Sequence, residues 1–140
     1  MEVFFHSEDV VLPKFEYTKI KKWIFTVIAR EGKVCGDLNF IFCSDQYLLD
    51  INMQYLDHDY FTDIITFDYS EADTVSGDIF ISVDRVGENA KFYGVGFHKE
   101  LMRIFVHGVL HLIGYNDKSF EDKEVMTSKE NEYLLESPKI

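Results

Sequence analysis

Phe105-Val106-His107-Gly108-Val109-Leu110-His111-Leu112-Ile113-Gly114-Tyr115-Asn116-Asp117 is apolar enough for a buried helix, yet it carries two histidines in its middle. Four residues apart, His107 and His111 fall on one helical face, one turn from each other. That spacing lets two imidazoles meet one metal ion, as in the paired-His helices of zinc hydrolases. Gly114 suits a helix end in the left-handed conformation. Asp117 falls just past that turn, where a carboxylate can swing back to the same ion. A single His in an apolar helix is ordinarily a core residue bonded to backbone. Two on one face, with a glycine stop and an acid in register, point instead to a metal site made of His107, His111 and Asp117.

Working outward, the motif belongs to a helix predicted over 97–113. Leu101, Ile104, Phe105, Val109 and Leu112 give it a core face, and Val106, Leu110 and Ile113 a second apolar side, so it should be central and buried on most of its circumference. Before it, Asp84 is the expected cap of a short helix over 85–93, ended by Gly94 and Gly96. After it, Ser119 and Asp122 have the spacing of a capping box. A last helix then runs to about Glu136, with Val125, Met126, Tyr133 and Leu134 directed inward.

The N-terminal half alternates. Residues 2–6 read as a strand. Pro13 introduces a helix over 14–31 in which Ile20, Trp23, Ile24, Val27 and Ile28 form the apolar stripe, and Gly32 is its stop. Trp23 reads as a core anchor. Leu38 to Cys43 is a strand, and Ser44 caps a helix to about Tyr55 with Tyr47, Leu48, Ile51 and Tyr55 on one side. After a loop over 56–61, strands over 62–69 and 77–83 are close enough to pair as a hairpin. The order β-α-β-α-β-β-α-α-α predicts a single α+β domain: one mixed, four-stranded sheet packed with helices, and a zincin-like metal-bearing helix.

A chain of 140 residues, 46% hydrophobic and 16% aromatic, suits one compact domain with a sizeable core. Cys35 and Cys43 form no Cys-x-x-Cys motif and read as reduced thiols. The first residues lack a basic region followed by a long apolar run, and no apolar stretch reaches the ~18 residues of a membrane span. A soluble, cytoplasmic protein is expected. The net charge of −11 argues against tight, unspecific binding to nucleic acid. The charge is uneven: residues 44–84 hold ten acids and no Lys or Arg. Residues 14–33 and 85–103 are richer in Lys and Arg. Such runs are ordinarily solvated faces, although two basic helices on one side would make a local phosphate-binding patch.

The motif has the spacing of the metzincin pattern H-E-x-x-H-x-x-G-x-x-H, with two departures. Gly108 replaces the glutamate that serves those proteases as general base, and Asp117 replaces the third His. The metal-dependent peptidase reading is disfavoured by Gly108. Met126 is placed to lie beneath the site, or simply in the core.

Together these features resemble the YbeY family of endoribonucleases, or rRNA maturation factors. His107, Gly108, Leu110, His111, Leu112, Gly114 and Tyr115 match its signature H-G-x-L-H-L-x-G-Y-D-H. Residues 51–67 resemble L-N-x-x-Y-R-x-x-D-x-P-T-D-V-L-S-F, through Asn52, Tyr55, Asp59, Thr62, Asp63 and Phe67. Residues 77–82, Gly-Asp-Ile-Phe-Ile-Ser, resemble G-D-I-x-I-S.

The resemblance implies a metal-dependent, single-strand-specific endoribonuclease acting in rRNA processing and ribosome biogenesis, with rRNA and a ribosomal subunit or its proteins as partners. A weakly active or non-catalytic assembly factor with a structural metal is the alternative. It implies one ion per chain, Zn²⁺ first, with Asp117 widening the choice toward Mn²⁺ or another divalent ion. Leu56 stands where the family has an arginine, and Phe61 where it has a proline. Asp63 and Asp78 are candidate acids beside the metal, with Asp63 the candidate base. Arg103, Lys118 and His58 are candidate substrate-binding cations.

Overall fold

The computed structural model describes residues 2–139. Its elements are β1 (Val3–Ser7), α1 (Tyr17–Arg30), β2 (Val34–Cys43), α2 (Asp45–Leu56), β3 (Ile64–Asp68), β4 (Thr74–Ser82), α3 (Val83–Tyr93), α4 (Phe97–Ile113) and α5 (Phe120–Leu134). The fold is α+β, as expected. One four-stranded sheet has the order β1-β2-β4-β3; β1–β2 and β2–β4 pair parallel, and β3–β4 is the antiparallel hairpin.

Side chains alternate across a strand, so the sheet has two separately packed faces. Leu38, Phe40 and Phe42 of β2, with Ile79 and Ile81 of β4, join α1 and α4 in the main core. Cys43, Ile65, Phe67 and Phe80 turn the other way and meet Leu48 and Ile51 of α2. Trp23 is buried, and its indole N–H donates to the Tyr133 carbonyl at 3.0 Å. The helix α4 is the central element foreseen, with Leu101, Met102, Ile104, Phe105, Val106, Val109, Leu110 and Leu112 all buried. At about 1.5–3 kcal/mol for each such side chain, this face supplies on the order of 12–24 kcal/mol of gross burial. That gain holds in place a helix that also carries polar groups.

Gly108 lies where α4 crosses the sheet. A Cβ there would come within 2.9 Å of Ile64 Cδ1 and 3.2 Å of Ile79 Cγ2. A side chain here points at the sheet and requires Ile64 and Ile79 to give way, so a glutamate at this position would face the sheet rather than the metal site.

Several boundaries differ from expectation. β2 starts at Val34, because Val34 and Cys35 pair with Thr74 and Val75 before a bulge at 35–38. The strand β4 starts correspondingly early, and the turn between the hairpin strands shortens. Ser82, not Asp84, caps α3: its hydroxyl accepts the Arg85 N–H at 3.1 Å. The Asp84 carboxylate instead accepts from the Asp45 N–H at 2.9 Å. Val125 is half exposed rather than directed inward. The Ser119–Asp122 capping box is present. Cys35 and Cys43 are free thiols. No helix of the described residues is long and apolar enough to cross a membrane.

Candidate metal centre

The helix α4 has one polar side. Glu100, His107 and His111 recur at helical spacing, and Arg103 lies one turn before His107. His107 and His111 stand 4.7 Å apart between ring centroids, at 78°. Beyond the helix, Asp117 folds back. Its Oδ2 is 3.4 Å from His107 Nε2 and 3.4 Å from His111 Nε2. Hydrogen bonds of this kind are shorter. A tetrahedral ion with bonds of about 2.0–2.2 Å separates its ligand atoms by roughly 3.3–3.5 Å. Asp117 Oδ2 has that spacing to both imidazoles, and all three donors lie within 4.8 Å of one another, so the residue set fits a divalent ion.

Two sets of contacts fix this geometry. The first orients His107. Its Nδ1 donates to Glu130 Oε2 at 2.6 Å, which leaves Nε2 as the ligand atom. Glu130 Oε1 accepts from Arg103 Nη1 at 2.8 Å, and Arg103 Nη2 donates to Asn131 Oδ1 at 2.8 Å. Glu130 is buried but fully engaged, as a buried charge must be. Burial pulls the His107 imidazole down, but the hydrogen bond and charge of Glu130 outweigh it and hold the ring above its usual range.

The second set pins the loop carrying Asp117. Tyr115 donates to Glu31 Oε1 at 2.6 Å. Glu31 Oε2 also accepts from Lys129 Nζ at 3.2 Å and from the Tyr133 hydroxyl. One carboxylate at the end of α1 thus ties the α4–α5 loop to α5.

His107 and Asp117 open on a cleft of about 590 Å³, lined among others by Asp63, Tyr93, Glu100, Arg103 and Met126. Asp63 lies near His107 and accepts from Asn89 Nδ2 at 3.1 Å. Burial pushes its carboxyl up, against the opposing charge on His107. Glu100 is likewise pushed up by burial. Met126 is both core and cleft floor, being buried yet lining the cavity.

The structure thus brings His107, His111, Asp117, Asp63 and Arg103 to one region. Lys118 and His58 are exposed and are not among the cleft-lining residues; His58 stacks on Tyr60 at 5.1 Å. Asp78 points to the α2 face of the sheet, where it accepts from Asn39 Nδ2. Lys19, Lys21, Arg30, Lys33 and Arg85 each pair with an acid, while Lys14, Lys22, Lys91 and Lys99 are exposed but do not line the cleft. Glu130 was not expected from the motif. Its signal was an acid on the inward side of α5, one turn after Met126 and three residues before Tyr133, both buried. Glu100 is the same kind of signal on α4.

A family model described as endoribonuclease YbeY matches residues 2–137. The chain belongs to the YbeY family. It is 45% identical over 138 residues to the endoribonuclease YbeY of Parabacteroides distasonis, covering 99% of this chain and 97% of that one. It is 54% identical over 112 residues to that of Flavobacterium johnsoniae, covering 80% and 81%. A solution structure of a Thermotoga maritima protein superposes with a TM-score of 0.68 at 29% identity, covering 96% of this chain and 87% of that one. Within this family frame, Leu56 remains the departure without a local substitute: it is partly exposed and does not line the cleft.

Proposed function

We propose that the protein is a metal-dependent endoribonuclease that hydrolyses phosphodiester bonds in single-stranded rRNA. The whole chain serves as one hydrolase domain in the cytoplasm, with the ribosomal subunit or its proteins as partners. The observation that carries the reading is the convergence of His107 Nε2, His111 Nε2 and Asp117 Oδ2 at ligand spacing, in a chain of this family. Zn²⁺ is the first choice of ion, and the Asp117 oxygen leaves Mn²⁺ open. When bound there, a divalent ion supplies Lewis acidity to a phosphoryl oxygen and to water.

The chain's own residues do the rest. Glu130 holds His107 in one tautomer. Asp63, desolvated and on the cleft wall, is the candidate proton acceptor, a role that Gly108 cannot fill. Arg103 neutralises Glu130 before it can serve a phosphate, which favours slow turnover and keeps the assembly-factor alternative in play.

The test is cleavage of structured rRNA with added Zn²⁺ or Mn²⁺, comparing wild type with His111→Ala. Metal-dependent cleavage by the wild type alone supports the enzyme. Equal cleavage by both proteins points to a contaminant, and no cleavage by either leaves the assembly-factor reading.

A further inference from the structure

One side of α3 faces the cleft. Arg85, Asn89 and Tyr93 recur every four residues and so form a row along the helix. Asn89 binds Asp63, which fixes the row against the metal site. At one end Tyr93 lines the cleft while 65% exposed, packed edge-on against Phe92 at 5.1 Å and 86°. At the other end the Phe61 ring, 48% exposed, has the Arg85 guanidinium 5.3 Å from its centroid. Two exposed aromatic rings, Tyr93 on the cleft and Phe61 outside its lining with Arg85 over one face, therefore stand at the two ends of the row that carries Asn89.

The charge around them is wrong for holding RNA by its phosphates. Asp63, Glu100, Asp117 and Glu130 face or line the site, Arg103 is engaged by Glu130 and Asn131, and Lys123 alone adds a second cation to the described lining. Base stacking on aromatic rings does not depend on positive charge and is the other main source of single-strand affinity. Resting on the RNA reading above, we infer that Tyr93 and Phe61 are stacking platforms for two bases of a single-stranded RNA, one on each side of the bond to be cut. Eight residues of helix separate Arg85 from Tyr93 by about 12 Å. One base cannot reach both ends, since stacked rings lie roughly 4.5–7 Å apart. The rings thus engage different nucleotides, and the phosphate between them falls beside Asp63 and the metal ligands. In a duplex the base faces are stacked on one another, so this wall selects unpaired RNA.

The test is binding of the metal-loaded protein to a fluorescein-labelled, 2′-O-methylated single-stranded oligoribonucleotide, which resists cleavage, with its duplex as control. Tyr93→Ala and Phe61→Ala should each weaken single-strand binding by roughly tenfold. Tyr93→Phe should bind like wild type. Tyr93→Leu, apolar but without a ring, should fall with Tyr93→Ala. Duplex binding should be weaker than single-strand binding and unmoved by either alanine. Both rings are exposed, so melting temperatures should match wild type. Unchanged single-strand affinity in both alanine variants overturns the stacking platforms while leaving the nuclease reading intact. Full binding by Tyr93→Leu likewise overturns the need for a ring. If the wild type neither binds nor cleaves single-stranded RNA, both readings fall together.

Discussion

At the scale of single residues, the site depends on one hydrogen bond outside the motif. Glu130 both fixes the His107 tautomer and raises the basicity of its ring. Glu130→Gln keeps the shape but removes the charge, and metal affinity should drop by roughly 10- to 100-fold in chelator competition. An unchanged affinity would reduce Glu130 to a packing residue. Asp117 allows a sharper contrast. Asp117→Ala removes one of three donors and should strip the ion during dialysis, whereas Asp117→His should retain it, as measured by metal analysis of the purified proteins. Full metal content in Asp117→Ala would remove Asp117 from the ligand set. That His107, His111 and Asp117 come together was legible because helical spacing and a glycine stop lie within a dozen residues. Glu130 was not, because its meaning depends on how α5 docks on α4. An acid on an apolar stripe marks an unpaired burial and leaves its partner unnamed.

At the scale of elements, the same division holds. The helix α4 was readable to its ends because its apolar periodicity is strong and Gly96 and Gly114 flank it. The early start of β2 and β4 was not readable, since Val34 and Cys35 become strand only by pairing with Thr74 and Val75 across a bulge. The Glu31 latch was equally invisible: it joins the end of α1 to Tyr115, Lys129 and Tyr133, 84 to 102 residues away in sequence. Burial pushes the Glu31 carboxyl up, but the donors Tyr115, Tyr133 and Lys129 outweigh it and hold it below its usual 4.5. A carboxyl depressed on folding stabilises the protein above the unfolded value and loses that contribution as pH falls through the folded one. Glu31→Gln should therefore lower stability at pH 7 by about 1.5–3 kcal/mol, the range for hydrogen bonds to a charged group. The gap between the two proteins should narrow as pH drops below 4.5, read from urea unfolding across that range. A gap that stays constant with pH would show that the carboxylate charge contributes nothing. The variant should also loosen its metal, because Tyr115 anchors the loop that presents Asp117.

At the scale of the whole molecule, the net charge of −11 has to be reconciled with an RNA substrate. Composition alone argued against nucleic acid, and family membership argued for it. The structure relieves the tension by where it puts the charges. Several Lys and Arg of α1 and α3 are drawn into pairs such as Arg30–Glu136 and Arg85–Asp45, and the exposed Lys22 and Lys91 do not line the cleft. In the cleft, Lys123 is exposed and Arg103 is held by Glu130. Each phosphate neutralised by the protein contributes about −0.7 to the slope of log affinity against log salt for single strands. If the RNA is held in this cleft, where Arg103 and Lys123 are the lining cations, that slope should be no steeper than roughly −1.5 for a non-cleavable single strand. The measurement is a titration series between roughly 50 and 200 mM salt, the range over which phosphate-dominated binders lose most of their affinity. A slope near −4 would mean that about six cations reach the backbone, and a basic surface outside this cleft would then have to carry the RNA. A shallow slope together with tight binding would require an uncharged source of affinity, which exposed rings such as Tyr93 can supply.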